Sequence, residues 1–154
     1  LLAVQAIVSH MPPAPSLSMP ETIWDVLQSW GCCWNWEHLR MVGDDHWLKE
    51  SITDDSCIAV TDGSYIKEVH PELCATAFII ECLKGRGRFV GSLAEACSAA
   101  NTYRGELLGL MQVHLIPLAV QRMAPDLSGN VVIYSDCLGA LGRVSSLPLG
   151  RIPT

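Results

Sequence analysis

Three carboxylates interrupt apolar segments in which an ionised side chain has no packing use. Asp62 follows the run Cys57-Ile58-Ala59-Val60, Glu106 sits within NTYRGELLGL, and Asp136 follows Val131-Val132-Ile133-Tyr134 after Ser135. Burying carboxylates beside one another costs several kcal/mol each and adds mutual repulsion, so such a cluster persists by holding a cation or by taking up protons. Arg104, two residues before Glu106, projects to another side of a helix and does not supply that cation. Hard oxygen donors without an accompanying set of histidines or cysteines suit Mg2+ or Mn2+ rather than zinc. Taken singly, Asp62 in Asp-Gly-Ser reads as a turn and Asp136 after Ser135 as a helix cap. Glu106 is harder to explain structurally, because three residues from Tyr103 and four from Leu110 it borders the apolar stripe of its helix.

The elements that must position these groups follow from apolar periodicity. Strands are expected at residues 57–61, 74–82 and 88–93, with Gly85-Arg86-Gly87 as the turn between the last two, which makes an antiparallel meander. Residues 99–118 read as a helix with Tyr103, Leu107, Leu110, Met111, His114 and Leu118 on its packed stripe, His114 included. A turn at MAPDLSGN precedes a strand at 131–134, and a second helix begins at Leu138. The helical crossover lets the fourth strand run parallel to an earlier one, so the fold class is α/β with a mixed sheet.

The first 50 residues differ in character. Pro12, Pro13, Pro15 and Pro20 make 11–20 an extended linker, after which Ser18 to Glu21 has capping-box spacing ahead of a short helix with Ile23, Trp24, Val26, Leu27 and Trp30, ended by Gly31. The tryptophans at 24, 30, 34, 36 and 47 are expected to pack as a small satellite core; surrounding acidic charge disfavours a base-stacking role. Residues 1–50 are accordingly read as a connecting segment with one short helix, and 51–154 as the functional domain.

Composition narrows the class. The chain has 154 residues, 49% of them hydrophobic and 17% charged, with a net charge of −6. Residues 1–54 carry two basic against seven acidic side chains and residues 55–154 eight against nine, so no broad basic face for tight nonspecific nucleic-acid binding is expected. No stretch approaches the roughly 20 uncharged apolar residues of a membrane span. The apolar opening Leu1 to Val8 lacks an initiator Met and a basic flank, which speaks against a signal peptide and for a piece of a longer polypeptide. Seven cysteines, an odd number without a C-x-x-C pair, read as reduced core residues and fit an intracellular compartment, cytoplasmic or nuclear. Cys32-Cys33 beside Trp34, Trp36 and His38 has the wrong spacing for a zinc finger or ribbon.

The sequence VTDGSY, then NTYRGELLGL, then VVIYSDCLGAL resembles the ribonuclease H domain, above all the version carried by retroelement reverse transcriptases. The likeness covers about residues 56–150. It implies a five-stranded mixed sheet and hydrolysis of the RNA strand of RNA–DNA hybrids with two Mg2+ or Mn2+ ions. Asp62, Glu106 and Asp136 match the family's metal-binding and catalytic positions, with Asp62 as the implied bridging ligand. Gly63, Ser64, Asn101, Thr102 and Tyr103 fall where nucleic acid would be contacted, Gly63 by close backbone approach and Ser64 toward a 2′-OH. The hybrid is the implied partner, with a reverse transcriptase domain in the same parent polypeptide.

The chain departs from the family at its end. A fourth carboxylate, a histidine-containing loop, the fifth strand and the closing helix have no counterpart before Thr154, so one sheet edge is expected to lie open and activity to be weak or lost. Transposases and integrases take their third carboxylate from a late helix, whereas the order here is Asp, Glu, Asp. Actin-like and sugar-kinase folds need a duplicated domain that 154 residues do not hold. The competing reading from another class is an inactive truncated retroelement fragment that at most binds a partner.

Overall fold

A computed structural model describes residues 2–8, 22–31, 35–44 and 46–145 of the chain. In chain order these form β1 (Leu2–Val8), α1 (Ile23–Ser29), β2 (Arg40–Val42), α2 (Trp47–Thr53), β3 (Cys57–Ser64), β4 (Leu73–Cys82), β5 (Arg88–Ala96), α3 (Thr102–Met123), β6 (Gly129–Ser135) and α4 (Leu138–Ser145). The strands make one open sheet in the order β1-β6-β3-β4-β5-β2. Pairing is antiparallel throughout except between β3 and β6. An α/β mixed sheet is thus what the alternating and helical periodicities produce.

The alternation in β3, β4 and β5 explains the layering. Cys57, Ala59, Phe78, Ile80 and Phe89 are buried on the inner face, while Val60, Ile79 and Val90 stand exposed on the other. One strand residue in two therefore joins a core shared with α1, α2, α3 and α4. Trp47 and Phe89 lie near its centre with rings 5.7 Å apart, and Trp24 meets Phe89 edge-on at 6.4 Å. Such pairs add about 0.5–1.5 kcal/mol each to the burial of their area.

Several expectations change here. The edge beside β6 is not open, because β1 pairs along its whole length from Leu2↔Ser135 to Val8↔Gly129. The tryptophans do not form a satellite core: Trp36 and Trp47 belong to the main cluster, and Trp24 and Trp30 pack against it. Trp34 and the proline-rich stretch 11–20 lie outside the described residues, as does the Ser18–Glu21 capping box. The observed box is Thr22–Asp25, with the Asp25 amide donating to the Thr22 hydroxyl at 3.2 Å and the Thr22 amide to the Asp25 carboxylate at 2.9 Å. A second helix, α2, precedes the sheet's central strand, and elements on both sides of residue 50 share one sheet and one core.

The packed face of α3 is rotated from the expected stripe. Glu106, Gly109, Leu110, Val113, Ile116, Pro117 and Val120 are buried, whereas Tyr103, Met111 and Leu118 are exposed and Leu107 and His114 only half-buried. Small residues cause this. A Cβ on Gly109 would collide with the hydroxyls of Thr61 and Thr76, and one on Gly105 would lie 2.8 Å from the Ala75 carbonyl oxygen. The helix therefore settles onto β3 and β4 through its glycines, and Gln112 is buried with its amide donating to the Asn35 carbonyl at 2.8 Å. Among the described residues no helix is long and apolar enough to cross a membrane.

Candidate metal centre

The parallel pairing of β3 with β6 sets Val60 beside Tyr134, so Asp62 and Asp136, each two residues further on, emerge side by side. Helix α3 crosses at that level. Gly63 allows the crossing, since a Cβ there would lie 2.5 Å from the Glu106 amide nitrogen and 2.7 Å from the Gly105 carbonyl carbon. With no side chain in the way, the Gly63 amide donates to Glu106 Oε1 at 3.0 Å. The Thr76 hydroxyl donates to the Asp62 carbonyl at 3.0 Å and steadies the strand from the β4 side.

One carboxylate oxygen from each of Asp62, Glu106 and Asp136 lies within 4.8 Å of the other two. The aspartates face solvent, but Glu106 is only 3% exposed. Burial pushes the Glu106 carboxyl above its ordinary range; the Gly63 amide opposes that shift, Asp136 and Asp62 add to it, and the Ser135 hydroxyl opposes it again. Its Oε2 is buried without a hydrogen-bond partner. An orphaned buried oxygen costs about 1–3 kcal/mol, more when charged, and a cation shared with the aspartates would remove that cost. The donor set is all oxygen, two parts solvent-facing and one part buried, which fits a hard divalent ion that keeps some of its water.

Arg104 stays apart, as its spacing implies. Its Nε and NH2 groups donate to the Glu95 carboxylate, NH2 at 2.7 Å, and tie the start of α3 to β5. That ion pair holds Glu95 below its usual range.

The other residues singled out in the sequence divide. Ser64 and Thr102 are exposed beside the carboxylates' elements, and Tyr103, 42% exposed, stands one turn before Glu106 with its ring passing Gly139 of α4. Asn101 is engaged as the N-cap of α3: its Oδ1 accepts from the Arg104 amide at 2.8 Å and its Nδ2 donates to the Ala99 carbonyl at 3.0 Å. The close approach at Gly63 is taken by the α3 backbone. His38, named in the sequence only beside Cys32-Cys33 in a spacing wrong for zinc, lines a shallow groove of about 450 Å³ with Asp62, Ser64, Ala77 and Ser92. No local pattern around His38 carries that signal, since its position depends on β2 pairing with β5.

No protein-family model, curated protein or solved structure matches this chain.

Proposed function

We propose that this chain is the ribonuclease H part of a retroelement reverse transcriptase polyprotein, a divalent-metal-dependent endonuclease that hydrolyses the RNA strand of RNA–DNA hybrids. The convergence of Asp62, Glu106 and Asp136, with one oxygen of each inside 4.8 Å, carries this reading. Supporting it is the element order: three antiparallel strands, a helix bearing the glutamate, then a strand parallel to the first of the three.

Asp62, Glu106 and Asp136 would hold the ions. Bound there, two Mg2+ or Mn2+ ions would supply an activated water on one side of the scissile phosphorus and charge stabilisation for the leaving 3′ oxygen on the other. The chain's own contribution is preorganisation. Glu106 is held rigid by burial and by the Gly63 amide, so its free oxygen needs no reorientation to accept a cation. Asp62 and Asp136 keep the solvent-facing side on which a phosphate would arrive. Ser64 offers a hydroxyl to a ribose 2′-OH, and Tyr103 an exposed ring edge to the minor groove.

The second reading, a fragment that binds metal or a partner without catalysis, is favoured by one observation. Among the described residues three carboxylates meet, where the resemblance implies four. Incubating the chain with a 5′-labelled RNA–DNA hybrid in Mn2+ separates the two. Expected is slow cleavage confined to the RNA strand, abolished in Asp62→Asn; Mn2+ binding without any cleavage would establish the fragment, and cleavage that survives Asp62→Asn would refute the site.

A further inference from the structure

Far along β3 and β4 from the carboxylates, two cysteines face each other. Cys57 and Cys82 are direct partners in the antiparallel register, both on the buried face of the sheet. The neighbouring pair Ser56 and Leu83 is hydrogen-bonded, the Leu83 amide donating to the Ser56 carbonyl at 2.9 Å, and the Cys82 amide turns the other way to the Gly87 carbonyl at 3.1 Å. Cys57–Cys82 is therefore a non-hydrogen-bonded pair, the type with Cα atoms about 4.5 Å apart and side chains close together. That spacing lies inside the roughly 4.4–6.8 Å that a disulfide spans. Both thiols are free.

The two sulfurs sit in different surroundings. Cys82 Sγ lies 3.4 Å from the Ser56 hydroxyl, accepts from the Lys84 amide at 3.4 Å and has the Arg86 guanidinium at 4.0 Å. Burial disfavours its thiolate, but the hydroxyls of Ser51 and Ser56 and the amides of Arg86 and Lys84 outweigh burial and bring the thiol down to about 7. Cys57 has no such donors; burial, and then the charge of Cys82, push it up to about 12. Asp54 faces the same corner from the end of α2, where it pairs with Lys84 at 2.7 Å and with Arg86 at 2.7 Å, and Glu50 reaches Arg86 at 3.6 Å. Cys82, 4% exposed, also forms part of the wall of a groove of about 400 Å³, together with Gly43, Gly85, Arg86, Gly87 and Arg88.

We propose that Cys57 and Cys82 form a peroxide-responsive dithiol in which Cys82 is the attacking sulfur and Cys57 the resolving one. The Cys82 thiolate attacks one peroxide oxygen; an S–O bond forms, the O–O bond breaks, and hydroxide leaves, so the sulfur is oxidised to sulfenic acid as the peroxide is reduced. Cys57 then attacks that sulfur; the S–S bond forms, the S–O bond breaks, and the departing hydroxide takes the Cys57 proton and leaves as water. Two thiols lose two electrons and two protons, and hydrogen peroxide becomes two waters. The disulfide joins the first residue of β3 to the last of β4.

The test is differential alkylation and non-reducing peptide mapping of the full chain. Iodoacetamide at pH 7 is expected to label Cys82 faster than Cys57, its likewise buried strand partner, because donors surround the Cys82 sulfur whereas burial pushes the Cys57 thiol up. Equimolar hydrogen peroxide is expected to yield a Cys57–Cys82 linked peptide that dithiothreitol reverses, and in Cys57→Ser a Cys82 sulfenic acid that dimedone traps. Arg86→Gln, a surface change, should slow labelling of Cys82 alone. Peroxide that leaves the wild-type Cys57–Cys82 pair unlinked, or labelling of Cys82 no faster than Cys57, would overturn the assignment even if the variants fail to fold.

Discussion

Replacing Glu106 with glutamine separates charge from shape at the one site carboxylate kept from water. Because burial raises its folded pKa, the stability that Glu106 contributes is fully present below its unfolded value of about 4.3 and is lost as pH rises through the folded value. In EDTA at pH 7, Glu106→Gln is therefore expected to melt above wild type, with the gap closing as pH falls toward about 4; circular dichroism melts across that range check it. Equal melting temperatures at pH 7 would mean that the buried carboxylate carries no strain. Asp62, Glu106 and Asp136 were legible in the sequence because each puts a charge into an apolar pattern. The tie between Glu106 Oε1 and the Gly63 amide was not, since it joins residues 43 apart in sequence. Gly63 itself was legible as a place of close approach but not as to what approaches it. The place of His38 in a groove with Asp62 was not legible for the same reason, since it depends on strand pairing.

At the scale of elements, the seam between α3 and the strands β3 and β4 decides whether the carboxylates meet. Gly63→Ala forces a Cβ into the α3 backbone, which cannot yield as a flexible side chain would. Overpacking of this kind costs about 1–3 kcal/mol, and lifting the helix also draws Glu106 away from Asp62, so the variant should lose both denaturant stability and Mn2+ affinity. Unchanged Mn2+ affinity in a destabilised Gly63→Ala would dissociate the seam from the site. The positions of β3, β4, β5 and β6 were readable to within a few residues from alternation, but β1 and β2 were not read as strands and the packed face of α3 was not read correctly. Periodicity weighted Tyr103, Met111 and Leu118 as core, whereas the buried face runs through Gly105, Glu106, Gly109 and Gln112, residues that hydropathy ranks low. Glycines contribute to packing by what they leave out, and a one-residue pattern does not register that.

For the molecule as a whole, the N-terminal residues are part of the sheet that carries the site. β1 covers the edge of β6, the strand that leads directly to Asp136, and Val8 is buried there. Removing residues 1–8 exposes that edge and should cost at least the roughly 1.5–3 kcal/mol of burying Val8, with increased self-association read by light scattering. Nothing in the sequence of β1 names its partner strand; a seven-residue stretch that is apolar except for Gln5 fits any exposed edge. Under the proposed function, the net charge of −6 means that affinity for a hybrid should rest on divalent ions and not on a basic surface. The most direct measurement is therefore a calorimetric Mn2+ titration of the wild-type chain against Glu106→Gln. Expected is saturable Mn2+ binding that is lost in the variant while its fold is retained; absence of binding in the wild type, or equal binding in both, would contradict a metal centre built from Asp62, Glu106 and Asp136.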